Sequence, residues 1–503
     1  MAVISGLSLS SDRSAARSTW EFSWPLIAGL ALFLFLMNAS GLPLLSDPDT
    51  HWHIAVGDWM RAHKAMPRVD AFSFTFPGQP WIAKEWLSQL LLSAAYSAGG
   101  WGGVAALGAA AVAATFAVLL RLLLADLKAP VALLFTAAAV VMMEPHLLAR
   151  PHLLAFPVAL IWVAGLVRAV EERRAPRPVL LLAMLAWANL HGGFTLGILL
   201  CGAFALDALV GARDMAERKV LFVAWLKFGV ASVLVACITP YGPESILVTL
   251  RIFNIGDALA TIAEWKSPNF QAQPMQELIV LVALYVALSR GVKLPLVRLL
   301  IVLGLTHLYL RYARNAELLA TFMPLVIAPV LARQWPSLRP GADTVQESRL
   351  MRRVNALARP AGRGAVALAF VVAAVFAGGM IRFANITPPA DVMPQAALDY
   401  ARDNGLLKGR VFNSWNYGGP LIHAGIPTFI DGRGELYGGD FIQLYAHLTG
   451  VRGEESLEQT LDYYKIDWTL LDKGWPVNKL LARLPGWHQA YTDEQTTIFV
   501  RDR

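Results

Sequence analysis

Between Trp24 and Phe383 the sequence keeps returning to one pattern, an apolar run of roughly 14 to 22 residues closed by a short polar segment. Runs of that length match the hydrocarbon core of a bilayer when they are helical. Counting them predicts about eleven spans. They lie near 24–45, 103–124, 130–145, 152–170, 178–191, 195–212, 220–239, 275–290, 294–311, 316–333 and 364–383. The predicted fold class is mainly α, a polytopic transmembrane helical bundle. One further segment, EWLSQLLLSAAYSA at 85–98, is short for a crossing and reads as a membrane-surface helix or half-span.

Charge orients the bundle. Only 16% of residues are charged, against roughly a quarter in soluble domains. The net charge of +7 does not point to nucleic acid, because the basic residues gather between apolar runs and no nucleic-acid motif is present. With the N-terminus and its Arg13 and Arg17 inside, the cytoplasmic loops contain Lys128, EERRAPRP (171–178), ARDMAERK (212–219), SRGVK (289–293) and the arginine-rich 334–363 segment. That is the distribution insertion requires. The first run lacks a small-residue cleavage site and is expected to be a retained helix. Both cysteines, Cys201 and Cys237, sit inside predicted spans, so no disulfide framework is indicated.

From about 388 the composition changes. Helix-like stretches (393–404, 440–449, 455–465) alternate with strand-like RVFNS, PTFID, DWTLLD and TTIFVR, which predicts a small α/β domain. The expected organisation is a membrane domain over 1–387, with a first outer loop at 46–100, and an extramembrane domain over 388–503. An odd number of spans puts that domain outside.

The same topology gathers six polar motifs on the outer face: SDPDTHWH (46–53), MEPHLLARPH (143–152), ANLHGG (188–193), TPYGPE (239–244), AEWKSPNF (263–270) and YLRYARNAE (309–317). Ionisable groups at span ends are costly and line cavities or sites. Asp47 before Pro48 reads either as a helix N-cap or as a site carboxylate. The interfacial helix that follows, to about His63, carries Asp49 and His53 on one face, with His51 beside them. Asp and His at this spacing also suit a divalent metal ion, although two further ligands are not visible. Arg150 suits a phosphate, with Glu144 or His152 as a second polar group, or else Arg150 and Glu144 anchor helix ends at the headgroups. Asn189 and His191 precede a Gly-Gly break that serves either a tight turn or a site. Arg311, Arg314 and Asn315 lie where the charge rule disfavours arginine, which calls for an anionic partner such as a lipid phosphate. Glu264 and Trp265 read as sugar contacts or interfacial residues, and Tyr241 as part of the interfacial aromatic belt. In FIDGRGELYGGD (429–440), Asp431, Arg433 and Glu435 sit in a glycine-rich turn without dinucleotide-loop spacing.

The combination DPDTHWHIAVGDWM, PRVDAFSFTFPGQPW, EWLSQ, ARPHLLAF, WANLHGGF and FIDGRGELYG resembles the GT-C superfamily of membrane glycosyltransferases, through a group of related bacterial membrane proteins. The resemblance covers most of the chain. It implies a polyprenyl-phosphate sugar donor, a glycan, lipid or protein acceptor, and transfer at the outer face of a bacterial inner membrane. It implies an acidic residue of the first loop that activates or positions the acceptor, here Asp49 or Asp47. A second acidic position is common among relatives, and Glu144 and His152 occupy the matching region. Some relatives use a divalent metal ion and others none. Two other functions fit parts of the pattern: a polymerase or ligase acting on polyprenyl-diphosphate glycans, and a non-catalytic lipid-binding relative or transporter. A transporter would place charge at span centres or show inverted repeats, and neither is evident.

Overall fold

The computed structural model describes residues 19–38, 44–251, 256, 263–342, 348–452 and 456–502. Arg13 and Arg17 lie outside them. The described residues are mainly helical, with one small sheet among them near the C-terminal end. Among the described residues six helices are long and apolar enough to cross a membrane: Trp86–Leu123, Ala129–His146, Pro151–Glu171, Met215–Ala236, Ala313–Gln334 and Arg363–Phe383. Four shorter apolar helices, Trp24–Asn38, Pro178–Leu190, Phe194–Val210 and Pro274–Ser289, fall on further predicted runs. Leu281, Tyr285, Leu288, Phe370 and Val375 are exposed on the bundle surface. Such an apolar surface suits acyl chains and not water.

The 103–124 run is only the second limb of the long helix Trp86–Leu123. Gly99 and Gly100 leave helical geometry, Gly100 with φ +55°. A Cβ on Gly103 would overlap the carbonyl oxygen of Ala95. In a straight helix eight residues span about 12 Å, so the chain folds sharply here. The first limb, 86–98, lies along helix Asp49–His63. Gln89 reaches His53 (3.2 Å), Ser93 donates to Asp58 (2.6 Å), and Arg61 donates to Ser97 (2.5 Å). Partners rise together in number, so the two helices run parallel, and their N-termini point the same way. The helix begun at Asp49 ends at His63 as expected. The Asp47 carboxylate accepts the N–H of Asp49 (2.7 Å), which satisfies one orphan donor of its first turn.

The C-terminal sheet has the order β1-β2-β4-β3, with β1 Arg410–Asn413, β2 Ile466–Asp472, β3 Trp487–Thr492 and β4 Thr496–Arg501. β1 and β2 are parallel; β4 is antiparallel to both β2 and β3. Two strand expectations change. β3 was not anticipated, and its alternation is weak because it is largely exposed. PTFID does not join the sheet. Instead Thr428 exchanges backbone hydrogen bonds with Phe72 and Phe74 of the loop between the first two long apolar runs (both 3.1 Å). One apolar core accordingly mixes Trp52, Val56 and Trp81 of that loop with Phe429, Tyr437 and Phe441 of the tail.

A buried ionic clasp reinforces this contact. Arg433 pairs with Asp70 of the loop (2.5 Å) and with its neighbour Asp431 (2.7 Å), and all three side chains are fully buried. Its guanidinium lies over Phe72 and Trp81. Tyr241 is also pulled inward from the predicted belt. Its hydroxyl donates to the Pro67 carbonyl (3.0 Å) and accepts from the Ala83 N–H (3.2 Å).

At the far end of the bundle Arg298 pairs with Glu171 (2.6 Å) and Asp207 (2.9 Å), and Arg333 also meets Glu171. Helix Pro151–Glu171 runs from Arg150 to this cluster, about 30 Å away. Two ionic networks thus lie one hydrocarbon thickness apart.

Candidate active site

At the near end, four helices begin around one cleft: Trp86–Leu123, Pro151–Glu171, Phe194–Val210 and Ala316–Gln334. Their first residues or immediate neighbours, including Glu85, Arg150, Gly193 and Asn315, line it. Each helix start lends the positive end of its dipole, a setting that favours an anion. The cleft has a void of about 320 Å³ and opens into a smaller polar one of about 50 Å³. Ala155, Phe156, Ala159, Trp187, Leu196 and Leu318 make an apolar wall between membrane helices, while Lys84, Thr249, Trp265, Trp415 and Glu435 line its remaining sides.

Arg150 organises the charge. Its Nη1 meets Asp47 (3.1 Å) and Glu264 (3.2 Å), and its Nη2 meets Asp49 (3.0 Å). Glu264 gives its other oxygen to Arg314 (3.1 Å), whose guanidinium stacks on Trp265 (4.8 Å). Burial alone would raise the Glu264 carboxyl, but Arg314 and Arg150 overcome it and hold it down at about 2. Asp49 goes the other way. Burial pushes it up to about 7 against the pull of Arg150, with Asp47 and Glu264 adding repulsion. Three carboxylates face two guanidiniums, and burial leaves Asp49 able to hold a proton near neutrality where Glu264 cannot.

A second set sits beside them. Glu85 lies between His53 (3.8 Å) and His191 (3.5 Å), and burial raises its carboxyl. His191 Nδ1 accepts the Gly193 N–H (3.1 Å), which leaves its Nε2 as the donor toward Glu85. His152 pairs with Glu317 (3.1 Å), and Lys84 with Glu435 (2.6 Å).

The predicted residues therefore divide. Asp47, Asp49, His53, Arg150, His152, His191, Glu264, Arg314 and Asn315 come together at or immediately behind the cleft. Asp47 and Asp49 do not line the voids themselves, because Arg150 stands between. Glu144 lies in a short 3-10 turn and lines neither void. His51 packs against Trp101 and His423. Asn189 accepts from Trp86 Nε1 (2.8 Å) and donates to the carbonyls of Leu185 and Ile238, a helix-pinning role. Arg311 turns to the Tyr312 hydroxyl (2.9 Å), and Asp431 and Arg433 form the clasp. Lys84, Glu85, Glu317 and Trp415 had not been singled out. The pair Lys84–Glu85 ahead of an apolar run was the available signal, since charge at a helix start is costly unless used.

A divalent metal does not fit this donor set. The three converging carboxylates have a guanidinium at their centre, and among the described residues no group of three or more His, Cys, Asp or Glu is arranged to hold an ion.

No protein-family model and no curated protein matches the sequence. Among solved structures, the chain is similar to the archaeal oligosaccharyltransferase AglB from Archaeoglobus fulgidus in complex with an inhibitory peptide and a dolichol-phosphate. The TM-score is 0.52 at 11% identity, over 89% of this chain and 69% of that one. At this identity the likeness is one of architecture: the chain shares the overall fold of that oligosaccharyltransferase.

Proposed function

We propose that the protein is a glycosyltransferase that moves a sugar from a polyprenyl-phosphate carrier to an acceptor hydroxyl at the membrane surface. The observation that carries this is Glu264, whose two carboxylate oxygens bridge Arg150 and Arg314 (3.2 and 3.1 Å). A phosphate has the same paired-oxygen geometry and charge, and guanidiniums recognise both. The four helix starts add to its attraction. The apolar wall beside the arginines suits the first isoprene units of a lipid tail. The dolichol-phosphate bound by AglB, on the same fold, supports a polyprenyl carrier.

In the proposed reaction the acceptor oxygen attacks the anomeric carbon as the bond to the phosphate oxygen breaks. The leaving phosphate keeps the electron pair, and Arg150 and Arg314 stabilise its growing charge. Direct displacement inverts the anomeric configuration. Asp47 and Asp49 hold Arg150 in position, and a proton on Asp49 offsets the charge of the arriving anion. We infer further that about eleven runs cross the bilayer, as their lengths allow, with the N-terminus cytoplasmic and the 388–503 domain outside.

A second reading is transfer of a whole oligosaccharide from a diphosphate carrier, favoured by the kind of enzyme whose fold is shared. Proteoliposomes containing the full chain, supplied with radiolabelled polyprenyl-phosphate mannose, glucose or arabinose, should release free polyprenyl phosphate. Release only from a diphosphate-linked glycan would select the second reading. No release from either would remove both.

A further inference from the structure

We propose that Glu85 is a catalytic residue, the group that takes the acceptor's proton during transfer. The inference rests on the glycosyltransferase reading and adds the base that reading leaves unassigned.

Four carboxylates line the cleft: Glu85, Glu264, Glu317 and Glu435. Three are already committed. Glu264 is held by two arginines, Glu435 by Lys84 and Glu317 by His152. Glu85 and Glu317 both lack an arginine or lysine nitrogen within 4.0 Å among the described residues, but Glu317 holds His152 at 3.1 Å while the imidazoles nearest Glu85 stand at 3.5 and 3.8 Å, and Glu85 borders both the larger and the smaller void. Its neighbours are imidazoles. His53 Nδ1 faces the Gln89 amide and His191 Nδ1 accepts from Gly193, so both rings turn Nε2 toward the carboxylate. Burial depresses the proton affinity of both rings, so they flank Glu85 at 3.8 and 3.5 Å as neutral groups without neutralising it.

Asp49 is placed worse for this task. One oxygen pairs with Arg150, the other abuts Gly432, and neither reaches the voids. A base must lie within hydrogen-bond reach of the proton it removes, and geometry precedes proton affinity. The balanced step is this: the acceptor O–H bond breaks, its proton passes to Glu85, and the oxygen forms the new glycosidic bond. The old C–O bond gives its electron pair to the phosphate beside Arg150 and Arg314.

The titration of Glu85 is set by His53 on helix Asp49–His63, His191 in the 191–193 turn, adjacent Lys84, Glu435 of the tail, and Arg150 and Arg314 across the cleft. Burial raises its carboxyl, which places the acid limb of the rate profile above the ordinary glutamate range.

The test compares wild type, Glu85→Gln and Glu85→Asp in proteoliposomes, with radiolabelled polyprenyl-phosphate sugars as donors and a glycolipid mixture as acceptor. Binding of C55 polyprenyl phosphate is read in parallel from quenching of the cleft tryptophans. Expected for Glu85→Gln is a fall in kcat of about 10²-fold or more, the lower end for a general base. Donor KM and polyprenyl-phosphate binding should stay within about twofold, and the acid limb should vanish. Glu85→Asp should restore part of the rate and keep that limb. A Glu85→Gln enzyme within threefold of wild type, or one altered only in KM, overturns the role of Glu85 and leaves the transferase reading standing. A wild type that neither binds the lipid phosphate nor turns over overturns both.

Discussion

Gly432 of the tail packs directly on the carboxylate of Asp49, and a methyl group added there would overlap Asp49 Oδ1. Gly419 meets the Pro48 carbonyl in the same way. The acidic segment after the first helix is thus seated against the C-terminal domain at two points where any side chain is too large. Gly432→Ala should separate them, costing about 1–3 kcal/mol as overpacking does. A lowered unfolding midpoint with reduced transfer checks this; an unchanged midpoint and rate would show that the contact is slack.

Arg150 tests the donor site. A lysine keeps the charge but loses the fork that reaches Asp47, Asp49 and Glu264 together. Arg150→Lys should lower kcat about 10²-fold, the scale for losing one transition-state donor. Steady-state kinetics in proteoliposomes decide the matter, and a Lys variant with wild-type kcat would remove Arg150 from the reaction.

The Arg433 clasp predicts a stability effect. Arg433→Met strands Asp70 and Asp431 as buried charges and should cost about 3–5 kcal/mol. Adding Asp70→Asn and Asp431→Asn should recover much of it. Limited proteolysis between the 46–85 loop and the tail, with thermal unfolding, provides the readout.

Asp49 gives the pH dependence. Its carboxyl is raised from 3.8 to about 7, so between those values the folded protein binds the proton more tightly than the unfolded chain. Its contribution to stability is complete below about pH 4 and is lost as pH rises through about 7. Glu264, lowered to about 2, acts oppositely, its contribution being present above 4.5 and lost as pH falls through about 2. The Asp49→Asn variant should therefore gain thermal stability relative to wild type from pH 5 to pH 8. Parallel unfolding curves across that range would contradict the raised proton affinity.

Much of the bundle was legible because length and apolarity are local properties. The runs at 152–170, 316–333 and 364–383 became Pro151–Glu171, Ala316–Gln334 and Arg363–Phe383. Arg150 and Arg314, which line the cleft, were legible as residues in need of an anionic partner, Arg150 from its guanidinium geometry and Arg314 from its place at a span junction. Glu85 and Trp415 were not, since their meaning depends on the Gly99–Gly100 elbow and on the tail folding back. PTFID was misread as a sheet strand for the same reason. Its alternation is satisfied by Phe72 and Phe74, more than three hundred residues earlier. The roles of Asn189 and His51 likewise follow from distant partners, Trp86 for one and His423 for the other.

Because four helices start at the cleft, part of its pull on a negative headgroup is written in peptide bonds rather than in side chains. Removing either guanidinium will therefore slow the chemistry more than it empties the pocket. Inert variants that still retain the lipid carrier should be obtainable, and they are the natural material for trapping the protein with its donor in place.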